Sequence, residues 1–273
     1  MRNRINNRGF NHPRNGSRNN MTTLSSVQYM LVYNTFSFTV ATMFAAFIFF
    51  IVGRSQVGEK YRPALLISGI VVAIAGYHYF RIMNSWEDAF TLTNGEYVPS
   101  GKPFNDAYRY VDWMLTVPLL LVELIAVLAL PKKDREGLFG KLAIAAFLMI
   151  ILGYPGELAT DNTTRAIWGT LSSIPFVYIL WVLWVKLGAS LPSQPPYVQV
   201  LMKNIRLLLL FTWGFYPITY MFPMFGIAPE SSLVGIQIGY AIADVLAKAF
   251  YGVMIYWIAY AKSEADGSLP VKH

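Results

Sequence analysis

Cysteine is absent from the sequence, and charged residues are scarce. Without cysteine the chain has no disulfides, no thiolate metal ligands and no cysteine nucleophile. Charged residues make up 14% of the 273 positions and apolar residues 55%, whereas soluble domains carry about 25% charged residues. So few charges cannot coat a soluble protein of this length, and we therefore expect much of the surface to face the lipid bilayer.

The net charge of +7 does not indicate a nucleic-acid partner, because much of the excess lies in one segment. Residues 1–20 contain five arginines and no acidic residue, and they have too little apolar surface to fold alone. They also lack the continuous apolar stretch of a secretory signal. We predict a flexible basic tail over residues 1–27, with Met21 as an alternative start, a membrane domain over 28–262 and a C-terminal tail over 263–273.

Seven segments are apolar and about 20 residues long, the length that a helix needs to cross the hydrocarbon core. A backbone in lipid must pair its own polar groups, so we expect helices. The runs lack the alternation of membrane-barrel strands. The predicted fold is therefore an all-α membrane protein with seven transmembrane helices. These cover residues 28–52, 63–83, 107–130, 139–158, 165–187, 203–225 and 234–261.

The connections are short and leave no room for a soluble catalytic domain, so we expect no soluble substrate. The longest, residues 84–106, contains Asn94-Gly95 and Pro99-Ser100-Gly101, which favour turns and predict a short β-hairpin. Lysine and arginine gather in the loops after the first, third and fifth spans, whereas the opposite loops are mainly acidic. Because basic loops face the cytoplasm, we predict a cytoplasmic C-terminus and an outside N-terminus. The basic N-terminal tail opposes this orientation.

Six ionisable groups remain at membrane depth. Each costs at least about 2.5–3.5 kcal/mol to insert, so each needs a partner or a function. The six are His78, Arg109, Asp112, Glu123, Asp244 and Lys248.

The third segment carries four polar groups on one helix face: Arg109, Asp112, Thr116 and Glu123. Asp112 and Glu123 are 11 residues apart, or about 16 Å along a helix. That separation exceeds the ~5–9.5 Å of a two-carboxylate hydrolase, and it suits two stations of a proton path. Glu123 has no obvious ionic partner, so burial favours its protonated form and makes it a natural proton donor.

In the seventh segment, Asp244 and Lys248 lie one turn apart on one face. A buried amine is the usual nucleophile for a Schiff base with an aldehyde. Asp112 and Asp244 can then face one cation, with Arg109 balancing the second negative charge.

These groups also have structural interpretations. The two charged pairs can be ion pairs, Glu123 can lie near the headgroups, and His78 can hydrogen-bond a backbone carbonyl. The aromatic residues can be ordinary packing. Packing alone explains the combination poorly, so a functional interpretation is favoured.

Three runs carry a family resemblance: YRYVDWMLTVPLLLVE at 108–123, WGFYP at 213–217 and ADVLAK at 243–248. From about residue 28 to 262 the chain resembles the microbial (type 1) rhodopsins. The runs GYHYFRIMNSW at 76–86 and WGTLSSIPF at 168–176 resemble the xanthorhodopsin-like branch, near the proteorhodopsins.

The resemblance implies a role for each charged group. Lys248 would bind all-trans-retinal as a protonated Schiff base, Asp112 would be the primary counterion and proton acceptor, and Asp244 the second counterion. Arg109 would be the extracellular gate, and Glu123 the cytoplasmic proton donor. Thr116 would hydrogen-bond Asp112, and His78 would pair with it. The implied retinal pocket comprises Trp113, Leu120, Met149, Gly153, Ser172, Trp213, Tyr216, Pro217 and Tyr220.

The triplet Asp112, Thr116 and Glu123 is the pattern of outward proton pumps in this family. Most sensory rhodopsins lack the donor carboxylate, and a sensory photoreceptor of the same fold is the alternative. A non-photochemical receptor or transporter, with Lys248 in a structural ion pair, is a third interpretation.

Finer expectations also follow from the resemblance. Gly169 stands where xanthorhodopsin opens to a carotenoid, so an antenna carotenoid is a second candidate cofactor; helix packing is the other explanation for this glycine. Leu120 accompanies green absorption. A homo-oligomer, pentamer or trimer, is expected. The glutamate pair that releases the proton in bacteriorhodopsin is missing, since its helix-seven member is replaced by Ile236 and Glu230 is a poor substitute.

Overall fold

The computed structural model describes residues 21–128 and 132–270, and it does not define the side chains of residues 128, 132–136 and 187. This part of the chain contains seven helical spans long and apolar enough to cross a membrane, which confirms the predicted fold. The predicted tail over residues 1–20 lies outside the described residues. The first six spans are built on α1 (Ser26–Gly53), α2 (Arg62–Ala89), α3 (Ala107–Leu128), α4 (Lys132–Glu157), α5 (Asn162–Ser190) and α6 (Pro196–Tyr220).

The seventh span is composite. It consists of α7 (Pro229–Asp244), a π-helical segment (Val245–Phe250) and α8 (Tyr251–Ala265). A π-helical turn is rare and is often found at functional sites. Here it contains Lys248.

The helix boundaries follow local chemistry. Ser25 and Gln28 form a capping box that starts α1, with the Gln28 N–H donating to the Ser25 hydroxyl. Pro196 opens α6, where its missing N–H costs nothing. The predicted sixth span, 203–225, is wrong at both ends, since α6 runs from Pro196 to Tyr220. The helix begins before the exposed Lys203, and it ends at Tyr220, ahead of a 3₁₀ turn that contains Pro223.

The β-hairpin predicted for residues 84–106 is confirmed. Strands β2 (Phe90–Thr93) and β3 (Glu96–Pro99) pair antiparallel around Asn94-Gly95, both with positive φ. A third strand, β1 (Leu24–Ser25), pairs with β3 and was not predicted, since two residues show no alternation.

The ordered domain extends beyond residues 28–262 at both ends. Leu24 is fully buried, and α8 continues to Ala265. The Ser263 hydroxyl accepts a hydrogen bond from the Gly58 N–H at 2.8 Å. The predicted boundaries at 27 and 263 are therefore corrected outward, because these residues pack on the helical domain.

The interior holds the charged groups of the spans, and the outer surface is apolar. All six ionisable groups singled out in the sequence are buried. Large apolar side chains such as Phe44, Trp181 and Phe211 are exposed. This inversion of the soluble pattern fits a chain surrounded by lipid. An odd number of spans brings the start of α1 and the end of α8 to opposite membrane faces.

Candidate functional site

The centre of the site is a buried lysine between two aspartates. Nζ of Lys248 contacts a carboxylate oxygen of Asp112 on α3 and lies 2.8 Å from Oδ1 of Asp244, one turn earlier on the same span. All three residues are at most 2% exposed. Two carboxylates therefore face one amine in a buried environment, where opposite charges interact more strongly than in water.

Asp244 is saturated with hydrogen-bond donors. The Tyr216 hydroxyl donates to it at 2.5 Å, the Tyr79 hydroxyl at 2.7 Å and the Trp113 ring N–H at 3.1 Å. Together with Lys248, these donors favour the ionised form of the carboxylate. Sequence reasoning missed Tyr79, although it directly follows His78 in the quoted GYHYF run.

Asp112 is less constrained. Its Oδ1 has no hydrogen-bond partner among the described residues. Thr116 donates a hydrogen bond to Asp112 at 2.8 Å, and the acceptor is the backbone carbonyl rather than the carboxylate. The geometry follows from the helix, since a threonine hydroxyl reaches the carbonyl four residues earlier.

His78 lies near both of its expected partners, a backbone carbonyl and the Asp112 carboxylate. Its Nδ1 lies 2.9 Å from the carbonyl of Ile74 and 3.9 Å from Oδ1 of Asp112. The backbone of α2 is therefore the nearer polar neighbour of the ring, and a small rotation of the side chain would bring the ring into hydrogen-bond distance of the Asp112 carboxylate.

Arg109 turns away from Asp112. Its guanidinium donates to Asp106 at 3.1 Å and to Gln237 at 2.9 Å, and it lies over the Tyr240 ring at 5.1 Å. The alternative of an ion pair between Arg109 and Asp112 within α3 is therefore not seen. Gln237 and Tyr240 come from α7, a partnership that the sequence of α3 cannot reveal.

Glu123 lies in a different environment. It is fully buried, and neither carboxylate oxygen has a hydrogen-bond partner among the described residues. Its chain neighbours Leu120, Leu121 and Leu124 belong to the apolar core. An isolated carboxyl in such surroundings favours its neutral form.

An apolar cavity of about 280 Å³ adjoins Lys248. All eleven residues predicted around a cofactor line it, and Tyr110, Phe176 and Tyr240 also contribute. The predicted lining residues are Trp113, Leu120, Met149, Gly153, Gly169, Ser172, Trp213, Tyr216, Pro217, Tyr220 and Lys248. An aromatic-walled cavity beside one primary amine fits a slender apolar aldehyde such as retinal.

Two glycines give the cavity its shape. A Cβ at Gly153 would lie 3.3 Å from the Ser172 hydroxyl, which itself donates to the carbonyl of Met149 at 2.7 Å. A Cβ at Gly169 would lie 2.7 Å from the Tyr220 ring, closer than real contacts allow. Gly169 therefore has a packing reason of its own.

The fold and this site define a seven-helix membrane protein with a cofactor cavity built around a buried, doubly paired lysine. A family model described as bacteriorhodopsin-like protein matches residues 30–262. The chain belongs to this family and is a microbial rhodopsin, a multi-pass protein of the cell membrane.

Similar proteins and structures narrow the relationship. The crystal structure of xanthorhodopsin, described as a light-driven ion pump with dual chromophore, is 57% identical, with a TM-score of 0.85 over 90% of this chain and 99% of that chain. The structure of thermophilic rhodopsin is 50% identical, with a TM-score of 0.86 and the same coverage. A green-light absorbing proteorhodopsin from Gamma-proteobacterium EBAC31A08 is 29% identical over 84% of this chain and 86% of its own length.

Proposed function

We propose that this rhodopsin is a light-driven pump that moves protons out of the cell, with all-trans-retinal bound covalently to Lys248. The observation that carries the proposal is the pairing of the Lys248 amine with Asp112 and Asp244 beside the apolar cavity. The relationship to xanthorhodopsin and proteorhodopsin supports it.

When bound to Lys248, retinal would supply visible-light absorption and a light-driven change of shape. The side chains then divide the proton chemistry. Asp112 has one carboxylate oxygen without a partner among the described residues, so it can accept the proton held at Lys248 Nζ. Asp244 is held ionised by its three hydroxyl and ring N–H donors, so it remains the standing counterion.

Glu123 would return a proton to Lys248 Nζ. It lies on α3 on the opposite side of Asp112 from Arg109, and its apolar surroundings favour a protonated resting form. Such a carboxyl can give up its proton when the Lys248 nitrogen becomes a strong base.

The direction of transport follows from the orientation. The basic loops between α1 and α2, α3 and α4, and α5 and α6 would face the cytoplasm. The Arg109 end of α3 is then outside and the Glu123 side is inside, which makes transport outward. Moving one proton against 100 mV requires about 2.3 kcal/mol.

A sensory photoreceptor is the rival function. It would need no carboxyl on the Glu123 side, because slow reprotonation prolongs a signal. A buried carboxyl without a structural partner among the described residues favours the pump, since its burial is costly unless it is used.

The test is the light-driven pH change in an unbuffered suspension of cells supplied with retinal. We expect acidification of the medium that a protonophore abolishes and that cells without retinal do not show. Coloured cells without any pH change would contradict the pump and favour the photoreceptor.

We also propose two finer features. A carotenoid antenna would lie at the Gly169 side of the cavity, by similarity to the dual chromophore of xanthorhodopsin. It would show as energy transfer in the excitation spectrum of the carotenoid-loaded protein, and its absence there would leave Gly169 to its contact with Tyr220. Green absorption, from Leu120, and a homo-oligomer remain predictions for the absorption spectrum and the detergent-solubilised mass.

A further inference from the structure

A second cluster of ionisable groups includes Arg109 and lies on the side of Arg109 away from Lys248. It contains two carboxylates, Asp106 and Glu157, and two guanidiniums, Arg109 and Arg165. We propose that Asp106 and Glu157 together form the group that delivers the transported proton to the outer solution. This inference rests on the proposed function, since it assumes a proton arriving from Asp112.

Glu157 is the best-hidden carboxylate of this cluster. It ends α4, where the sequence reads as a loop acid, yet its side chain is only 7% exposed. The Tyr240 hydroxyl donates to its Oε2 at 3.0 Å, and the Tyr110 hydroxyl lies 3.4 Å from the same atom. Arg165 of α5 lies 3.9 Å from Oε1. A surface acid would not need such enclosure.

Arg165 is held in place by the backbone rather than by Glu157 alone. It donates to the carbonyls of Glu157 at 2.9 Å and Tyr220 at 3.0 Å, and its guanidinium lies over the Tyr220 ring. The cation is therefore fixed by backbone carbonyls at 3.9 Å from the carboxylate of Glu157.

Asp106 connects the cluster to the surface. Its side chain is 29% exposed, and it accepts a hydrogen bond from Arg109 at 3.1 Å. Burial raises the pKa of the Asp106 carboxyl above its ordinary value, against the opposing charges of Arg109 and Arg165. Arg109 bonds to Asp106 and lies over the Tyr240 ring, whose hydroxyl bonds to Glu157, and the charge of Asp106 acts on Glu157. Two interacting carboxylates disfavour the loss of both protons, so the pair can store one.

Arg109 links the cluster to the acceptor. It lies one turn before Asp112 on α3 while its guanidinium reaches Asp106 and Gln237. Its Nε and the Gln237 side-chain N–H₂ are buried donors without partners among the described residues. When Asp112 becomes neutral by accepting a proton, the positive charge of Arg109 is less compensated on the inner side. It then favours ionisation of the outer pair, and a proton leaves through Asp106.

The groups that face Asp106 and Glu157 come from four helices. Their charges and hydroxyls set the proton affinity of the Asp106–Glu157 pair, so none of these residues is substituted in the test. They are Arg109 and Tyr110 of α3, Arg165 of α5, Tyr220 of α6, and Gln237 and Tyr240 of α7.

The test is the time at which a flash-excited, retinal-loaded protein releases its proton to a soluble pH indicator. The variants are Glu157→Gln and Asp106→Asn. Asp161→Asn is the matched control, because this exposed acid caps α5 in the same loop, and asparagine caps equally well. The visible absorption band and the transfer to Asp112 are followed in the same samples.

We expect both variants to keep the visible band and the transfer to Asp112. Release should slow by about 10²-fold, or until it coincides with the end of the photocycle, as when a positioned proton carrier is removed. The control should release as the wild type does. A purely structural cluster would lower thermal stability but leave the timing of release unchanged.

Several outcomes would overturn the inference. Unchanged release in both variants of a pumping wild type would do so while leaving the proposed function intact. A wild type that moves no proton in light would contradict the proposed function itself. If Glu157→Gln binds no retinal, infrared difference spectra of wild type labelled with ¹³C-carboxyl glutamate decide. A shifted carboxyl band at the moment of release supports Glu157, and its absence excludes it.

Discussion

Asp112 and Glu123 project from one helix, but the groups that surround their carboxyls differ. Asp112 lies beside a lysine, a second aspartate and a histidine. Glu123 has neither a charged partner nor a hydrogen bond among the described residues. Burial is complete in both places, so burial alone does not decide the state of a carboxyl. The neighbouring charges and donors decide it.

This difference gives α3 a direction. Asp112 is surrounded by groups that stabilise a negative charge, whereas Glu123 lies mainly among apolar side chains, with the Ser68 hydroxyl nearby. A proton moved from the second place to the first by way of Lys248 travels along the helix toward Arg109. Lys248 exchanges a proton with both carboxyls, so its substitution tests this difference most severely.

Lys248→Ala has the largest expected effect. The variant removes the only amine beside the cavity among the described residues, so retinal has no site for covalent attachment. We expect complete loss of the visible band after retinal is added to the purified protein. A visible band of wild-type intensity would show that Lys248 is a structural ion pair.

Asp112→Asn removes the carboxyl that lies among charged groups. Asparagine keeps the shape but cannot accept the proton, and only Asp244 remains to balance Lys248. We expect the visible band to shift and light-driven acidification to fall at least about 10²-fold. Acidification close to the wild-type rate in vesicles would assign the acceptor role to another group.

Glu123→Gln tests the apolar end. The substitution preserves size and adds no charge, so the absorption band and the transfer to Asp112 should remain. The return of the proton to Lys248 Nζ should slow by about 10²-fold, because the local donor is lost. Flash photolysis measures this recovery directly, and an unchanged recovery would remove Glu123 from the donor role.

The two ends also differ in how well a sequence reveals them. Asp112, Glu123 and Lys248 stand out because charges are rare in apolar runs, and helical spacing places the first two on one face. Tyr79, Gln237 and Glu157 did not stand out, since their partners belong to other helices. Periodicity gives the inward face of a helix, but it does not give the rotation that joins Tyr79 to Asp244.

Local signals explain the fold in the same way. Asn94-Gly95 predicted a hairpin because both residues readily adopt the positive φ that a tight turn requires. Strand β1 is defined only by its pairing with β3, which the local sequence does not indicate. The π-helical segment at Lys248 had no sequence signature. Features determined by contacts between distant segments were the ones that required the structure.

Tyr79→Phe has the smallest expected effect and sharpens the comparison at its polar end. It removes one of three donors that hold Asp244 ionised, with almost no change in volume. A hydrogen bond to a charged group is worth about 1.5–3 kcal/mol, so the midpoint for thermal loss of the visible band should fall accordingly. The matched control is Tyr77→Phe, whose hydroxyl lies on the exposed face of the same helix and should change stability by less than about 0.5 kcal/mol. Equal midpoints for the two variants would mean that the remaining donors, Tyr216 and Trp113, suffice to stabilise the Asp244 carboxylate, and that the polar end is held by redundancy rather than by each bond.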